Sequence, residues 1–462
     1  MIEVEGQEHH VFIDAANPSI EIDESLCKKC KLCIKTCSAM MEVHDHYDIE
    51  KAGRKPICIN CAQCVQVCPF GAIKYKSSVK QVKQALIDKS KIVVFNTAPA
   101  VRVCIGDAFG IPSGTFIQGR MVSAIRELGA KYVLDVVFGA DLTIMEEAHE
   151  LVERIQNGGV LPMFTSCCPA WVKKVEIFHP ELIPHMSTVK SPIAMQGTML
   201  KTYFANVHDI NPHKICNVTV APCAAKKAER TRKGLNASGC EHDVDITITT
   251  TGLAKLIKDK EIDFNILPDD EFDSVFSTGS SSGMIFGNAG GVMQAAIRTA
   301  YYFLNGENMT EEQIKLCDPI RGIDNLRVAE IDMKKLKLRV AAVSRISEAE
   351  KLIAKIQSGE EHFDFVEVMA CEGGCVAGGG QPRVPKPQRA AVISNRTQNL
   401  YKQDTERARV RFCHENPDII RIYKEFLGEP GSPIAHKLLH RTYRDKSYRL
   451  DREAHPEHAN DD

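Results

Sequence analysis

The stretch Glu367-Val-Met-Ala-Cys-Glu-Gly-Gly-Cys-Val-Ala-Gly-Gly-Gly-Gln-Pro382 sets two cysteines, Cys371 and Cys375, directly after an apolar, strand-like run over 365–370. Two further motifs share that placement. Thr165-Ser-Cys-Cys-Pro-Ala-Trp171 closes a run over 160–166, and Ala221-Pro-Cys-Ala-Ala-Lys-Lys-Ala-Glu229 closes one over 218–222. In an α/β domain, residues just past strand ends converge on one crevice. Cys168, Cys223, Cys371 and Cys375 then meet as four thiolates, the ligand count of a 4Fe–4S cluster. The spacing of Cys371 and Cys375 predicts that both lie on one face of a helical turn. Adjacent Cys167 and Cys168 point in different directions, which leaves one thiol over. Burial as small apolar side chains accounts easily for one such motif, since free cysteine is often buried, but poorly for three together.

Outward from these motifs the chain alternates between strand and helix patterns. Strands are expected over 92–95, 131–138, 160–166, 216–222, 243–249, 338–343 and 365–370, with helices over 141–156, 252–263 and 346–357. Val79, Val82 and Leu86 suit one helix face. The alternation predicts parallel sheets covered by helices. No Walker-type or Gly-x-Gly-x-x-Gly loop occurs, and the glycines at 378–380 are read as close backbone packing. Beyond about residue 395 the chain is charged and poor in aromatics. Residues 436–440 suit a short docked helix, and 451–462 are polar.

Before residue 80 the cysteines are dense. Cys27-x2-Cys30-x2-Cys33-x3-Cys37 is followed by Cys58-x2-Cys61-x2-Cys64-x3-Cys68-Pro69. This duplicated run resembles bacterial two-cluster ferredoxins, in which the fourth cysteine of each run ligates the other cluster. The resemblance implies one 4Fe–4S cluster on Cys27, Cys30, Cys33 and Cys68, and another on Cys37, Cys58, Cys61 and Cys64. Ser38 stands where proline often follows the fourth cysteine, a position that shapes a turn and does not ligate. Two one-electron centres in series suggest a path from the surface to a deeper redox site.

At 462 residues the chain calls for two to four domains. A net charge of −2 provides no field for nucleic acid or an anionic membrane. No export signal and no bilayer-length apolar run is read. Eighteen cysteines without an export signal, at metal-type spacings, indicate reduced thiols in a cytoplasmic iron–sulfur protein rather than disulfides. Cys104, Cys216, Cys240, Cys317 and Cys413 lack motif context and are expected in the core. The sixteen histidines form no ligand set.

The three cysteine motifs together closely resemble the active-site signatures of FeFe-hydrogenases, and the resemblance runs from about Cys27 to Tyr443. It implies an N-terminal extension (1–20), a two-cluster ferredoxin domain (21–79), a two-lobed α/β catalytic domain (80–394), a small helical C-terminal segment (395–450) and a polar tail (451–462). It implies an H-cluster: a cubane on Cys168, Cys223, Cys371 and Cys375, one of the last two bridging to a two-iron subsite with carbonyl, cyanide and a bridging dithiolate amine. The reaction implied is reversible interconversion of protons and dihydrogen, an oxidoreductase activity of anaerobic metabolism. Cys167, Glu147, Ser187, Glu150 and Arg154 match the family's proton path. Glu147, Glu150 and Arg154 also share one face of a helix whose other face is apolar. Lys226 matches a donor to cyanide, whereas Lys227 is read as a surface lysine. Pro99, Met369, Phe286 and Phe164 match or suit walls of the subsite, although an aromatic after a strand is more often simply core.

Ala221, Ala100 and Ile193 stand where methionine, serine and glutamine are common in the family. With Ala170 they mark a divergent branch, with an expected change in bias, rate or oxygen sensitivity but not in cofactor. Ferredoxin or a similar carrier is the expected partner, with Lys28, Lys29, Lys31 and Lys35 around the first cluster as its docking charges. Dedicated maturation enzymes are implied. The competing readings are a hydrogen sensor on the same cofactor and an iron–sulfur assembly protein of the same fold. Retention of Cys167 argues against the first, and the full ligand set with Lys226 against the second.

Overall fold

Every residue of Ile215-Cys-Asn-Val-Thr-Val-Ala221 is buried, as a strand covered on both faces must be. This run forms the spine of one lobe of a computed structural model that describes residues 9–276, 278–406 and 410–458. The first eight residues of the expected extension and the last four of the expected tail lie outside the described residues.

In chain order the strands are β1 (Ile20–Ile22), β2 (Ile73–Tyr75), β3 (Ile92–Thr97), β4 (Tyr132–Asp135), β5 (Met163–Phe164), β6 (Ile215–Ala221), β7 (Ile246–Thr249), β8 (Leu326–Asp332), β9 (Lys337–Ser344) and β10 (Phe365–Met369). β1 and β2 pair antiparallel and frame the cysteine-rich N-terminal region. One lobe holds the parallel sheet β4-β3-β6-β7, and the other holds β5-β10-β9-β8. Apolar clusters pack the helices onto each sheet. Val218, Val220, Leu253 and Leu256 belong to one such cluster, and Trp171, Val343, Leu352 and Val368 to another. Strand carboxyl ends from both sheets open onto one cleft, the place where α/β sheets build sites.

Three expectations about the sheets change. β8 runs antiparallel to β9, so the second sheet is mixed rather than parallel. β5 is only two residues long, because Pro162 before it has no N–H to pair. β4 ends at Asp135, whose carboxylate grips Arg102 at 2.7 and 3.0 Å and accepts the Val137 N–H at 3.0 Å. That contact turns the chain into the helix Val137–Asn157. The helix stops at Gly158, whose left-handed backbone (φ 70°) returns its N–H to Arg154.

The helix Arg389–Glu406 crosses the expected division at 394/395 without a break. Asp404 on it forms a two-pronged pair with Arg298 at 2.9 and 2.7 Å, with both side chains fully buried, and Arg321 adds a third contact at 2.5 Å. The expected helix near 436–440 is present as Pro433–Leu439. It is tied down by Lys190, whose Nζ donates to the Leu438 carbonyl at 2.7 Å. Lys227 is not on the surface. It is buried and donates to the Lys76 carbonyl and Ser78 Oγ at 2.5 and 2.6 Å. Its apolar stem and paired head clasp the end of the cysteine-rich region to the first lobe.

Candidate metal centres

The N-terminal cysteines fall into two groups around two hollows. Cys37, Cys58, Cys61 and Cys64 line one. Cys27, Cys30, Cys33 and Cys68 line the other. The grouping is interleaved, as expected from the duplicated run. Lys31 and Ala62 each take a left-handed backbone (φ 58° and 59°) just before a helix starts, which wraps each cysteine triplet around its hollow. Burial pushes the Cys37 thiol up to about 12, with Cys58 and Cys33 adding repulsion. Of these eight cysteines Cys30 alone is exposed, so the group with Cys27, Cys30, Cys33 and Cys68 is the outer one and the group with Cys37, Cys58, Cys61 and Cys64 the inner.

The four motif cysteines meet in the cleft. Cys168 starts the helix Pro169–Phe178 after β5, Cys223 follows β6, and Cys371 and Cys375 follow β10. Burial raises the thiols of Cys223, Cys371 and Cys375, and each is raised further by neighbours in this same set. Cys371 is pushed up to about 12. All described cysteines are free. Among the described residues, no three His, Cys, Asp or Glu side chains gather closely enough for a single metal ion. Four thiols brought together from three loops supply one sulfur for each iron of a cubane. The donor set therefore fits the implied cluster. The expected helical turn between Cys371 and Cys375 is absent. Gly373 and Gly374 take φ values of 72° and 94°, and at Gly374 a Cβ would stand 2.4 Å from the Ala289 nitrogen. A glycine-kinked loop, not a helix, presents both thiols.

The five proton-path candidates lie together. Cys167 is buried, and its thiol is held well above the ordinary range by burial and then by Glu147. Glu147 is fully buried, and neither carboxyl oxygen has a hydrogen-bond partner within ordinary limits among the described residues. Ser187 and the Ser166 backbone lie near enough to favour its charged form. Burial outweighs them, helped by repulsion from Glu150, and raises the carboxyl to about 8. Ser187 Oγ donates to Glu150 Oε2 at 3.1 Å, and Arg154 Nη2 donates to Glu150 Oε1 at 2.6 Å. Glu150 and Arg154 retain slight exposure, so the row runs from a sealed thiol towards solvent.

Lys226 leaves the cleft floor on the short helix Ala225–Glu229. Its ammonium donates to the Cys167 carbonyl at 3.0 Å and to Glu229 at 2.8 Å, two of its three donors. Burial works to lower its pKa, but Glu229 more than offsets this. Met369 and Phe286 share one apolar cluster with Cys167, against which Cys168 and Cys375 pack. Pro99 opens a buried turn right after β3. Ala100 beside it clusters with Val376 and Ala377 against Cys375. Ala221 ends β6, and Ile193 lies in the first turn of the helix Pro192–Met199, both buried. Phe164 packs its ring on Trp171 and His185, at 5.7 and 6.3 Å, in a neighbouring cluster that also holds Cys223 and against which Cys168 packs.

Some contacts had no signal in the sequence. Thr188 gives its N–H and hydroxyl to Glu150 Oε2 at 3.0 and 3.2 Å, and the hydroxyl meets His440 Nδ1 at 2.7 Å. These residues are 38 and 252 positions apart, respectively. Glu229 was open to detection, since it stands three residues after Lys226 on a helix.

Family comparison agrees with this geometry. Residues 91–379, more than half of the chain, match the family described as iron only hydrogenase large subunit, C-terminal domain. Residues 390–446 match iron hydrogenase small subunit, and 57–74 a 4Fe–4S binding domain. The chain is 38% identical to iron hydrogenase 1 of Clostridium pasteurianum over 94% of its own length and 77% of that protein's. It is 40% identical to the periplasmic Fe hydrogenase large subunit of Nitratidesulfovibrio vulgaris, over 71% and 85%. Cytosolic iron-sulfur assembly component 3 of Bos taurus is similar at 29% identity, over 84% and 82%. The solved apo FeFe-hydrogenase of Chlamydomonas reinhardtii, in a variant form, superposes with a TM-score of 0.70 at 36% identity, covering 80% of this chain and 99% of that one. With two ferredoxin-type cysteine groups leading to a four-thiol cleft, the chain belongs to the FeFe-hydrogenases, which interconvert dihydrogen with protons and electrons at an H-cluster served by 4Fe–4S clusters.

Proposed function

We propose that Cys168, Cys223, Cys371 and Cys375 hold the H-cluster cubane and that Cys167, Glu147, Ser187, Glu150 and Arg154 carry protons to and from it. The observation that carries this reading is the convergence of four thiols from three strand ends of both lobes beside the buried Cys167 and the fully buried Glu147 carboxyl. When bound, the H-cluster supplies the redox chemistry that makes or splits dihydrogen. The residues supply the route. Cys167 is held protonated chiefly by its burial, so it passes a proton only when its neighbour has lost one. A Glu147 carboxyl at about 8 is poised to give and take a proton near neutral pH. Ser187 and Glu150 extend the row, and Arg154 anchors its outer end. Lys226, with one ammonium hydrogen left over, faces the same cleft, and Met369, Phe286 and Pro99 keep it apolar.

Electrons enter through the N-terminal domain. The outer group (Cys27, Cys30, Cys33, Cys68) and the inner group (Cys37, Cys58, Cys61, Cys64) would each hold one accessory cluster. Around the outer group Lys28, Lys29, Lys31 and Lys35 are exposed. Leu26, Leu32 and Phe70 are exposed beside them. Such an apolar patch rimmed by lysines suits an acidic carrier of ferredoxin type. Among the described residues no helix is long and apolar enough to cross a membrane, and a cytoplasmic setting with dedicated maturation enzymes is part of this reading. The division into domains at 21–79, 80–394 and 395–450 is proposed on the same footing.

The test is an infrared spectrum of anaerobically matured protein in the carbonyl and cyanide stretching region, with a hydrogen assay on the same sample. Sharp bands with turnover are expected. Competent maturation that yields no bands would overturn the reading.

A further inference from the structure

Gln63 lies between Cys61 and Cys64 of the inner accessory group, yet its side chain leaves that loop and enters the catalytic cleft. Its Nε2 donates to Cys371 Sγ at 3.1 Å and to the Ala377 carbonyl at 3.1 Å. Gln63 is almost fully buried. Its orientation is fixed from the far side, because Arg389 Nη2 donates to Gln63 Oε1 at 3.1 Å. A guanidinium has only donors, so the carbonyl end must face Arg389 and the NH2 end must face the sulfur. The segment after Cys375 is built to receive this loop. A Cβ at Gly379 would stand 2.0 Å from the Cys61 carbonyl oxygen. Gln66 donates to the Gln381 carbonyl at 2.8 Å alongside.

We propose that Gln63 tunes electron transfer across this junction: its amide, oriented by Arg389, donates to the Cys371 sulfur and raises the reduction potential of the cubane on Cys168, Cys223, Cys371 and Cys375. The inference rests on the ligand assignment proposed above. One electron leaves the inner accessory cluster as one arrives at the four-cysteine centre, and no bond forms or breaks. The arriving electron adds negative charge that is shared onto the thiolate sulfurs. A donor aimed at one of those sulfurs therefore favours the reduced state, and hydrogen bonds to sulfur are among the determinants of cluster potential. Without the donor, electrons should rest more on the accessory side of the junction.

The experiment uses the full chain produced without maturation enzymes, so that it carries cubanes alone, and follows a redox titration by electron paramagnetic resonance. The four-cysteine signal is identified as the one lost in Cys371→Ala. Gln63→Met keeps the length and removes the donor, and Gln63→Glu puts a negative charge opposite the sulfur. The expected order of midpoints is wild type, then Met, then Glu, each more negative than the last. The first step is about tenfold in the one-electron equilibrium, or about 59 mV. The accessory signals should hold their positions. An unchanged four-cysteine midpoint in both variants would overturn the proposal, as would equal shifts of all three clusters or loss of cluster iron from both variants, which would make Gln63 structural. A wild-type protein without any signal sensitive to Cys371→Ala would overturn the ligand assignment itself.

Discussion

Replacing Glu147 with glutamine keeps the shape of the proposed proton route and removes its one buried carboxyl. Burial and Glu150 together hold that carboxyl at about 8, against an ordinary 4.5. At pH 7 the wild-type group should therefore be about nine-tenths protonated. A protonated carboxylic acid has an infrared carbonyl band above the amide region, so the difference spectrum between wild type and Glu147→Gln should contain such a band, titrating away around pH 8. Stability should follow with a definite sign. Between pH 4.5 and 8 the unfolded chain ionises this group while the folded chain does not. The wild type thus loses stability relative to the variant as pH rises through that window, by at most about 5 kcal/mol. Hydrogen turnover should fall about 10²- to 10⁴-fold, the usual contribution of a positioned acid–base group. A carbonyl band that disappears near pH 4.5, or a variant with wild-type turnover, would refute the reasoning.

Reversing Lys28, Lys29, Lys31 and Lys35 to glutamate should slow ferredoxin-linked turnover about tenfold at low salt and flatten its salt dependence. Turnover with a small dye should be unchanged, and equal losses with both donors would count against docking there. Asp404→Asn should destabilise the protein by about 3–5 kcal/mol by leaving Arg298 unpaired in the core, measurable by denaturant unfolding of the cluster-loaded chain. Burial works to raise the Asp404 carboxyl, but Arg298, Ser281 and Arg321 hold it well below 3.8. Its contribution is therefore complete above that pH and declines as acid is added below it. Gly379→Ala forces a Cβ against the Cys61 carbonyl and should loosen the N-terminal domain at a cost of about 1–3 kcal/mol. Limited proteolysis between residues 76 and 91 should then accelerate, and an unchanged rate would show that the junction yields without strain.

Two of the strands that position the cysteines were legible because β6 and β10 are nearly continuous apolar runs followed within two residues by a cysteine. β8 was not legible. In Leu326-Arg-Val-Ala-Glu-Ile-Asp332 the exposed residues include Leu326 and Val328, while Arg327 is buried, so over its first half hydropathy runs against the true faces. The glycine-kinked loop at Gly373 and Gly374 defeated an argument from spacing alone, because four residues suit a helix only when the backbone is helical. Lys227 is a charged residue whose partners, Lys76 and Ser78, are about 150 positions away. No local pattern distinguishes such a clasp from a solvated side chain. The contact of Gln63 with Cys371 spans 308 positions, and the motif that contains Gln63 is described entirely by its cysteines. Chemistry that depends on residue type was readable, and chemistry that depends on what tertiary folding sets beside it was not.

The four-thiol cleft draws on both lobes. Cys223 follows the sheet of the first lobe, while Cys168, Cys371 and Cys375 belong to the second. A cluster bound there is therefore also a covalent cross-link, closing loops of about 55 residues (168 to 223) and about 148 residues (223 to 371). By the chain-entropy argument used for disulfides, closures of that length restrict the unfolded chain by about 4–5 kcal/mol each. Iron chelation should consequently act as a mechanical release between the lobes as well as a chemical inactivation, and heat resistance should track cluster occupancy.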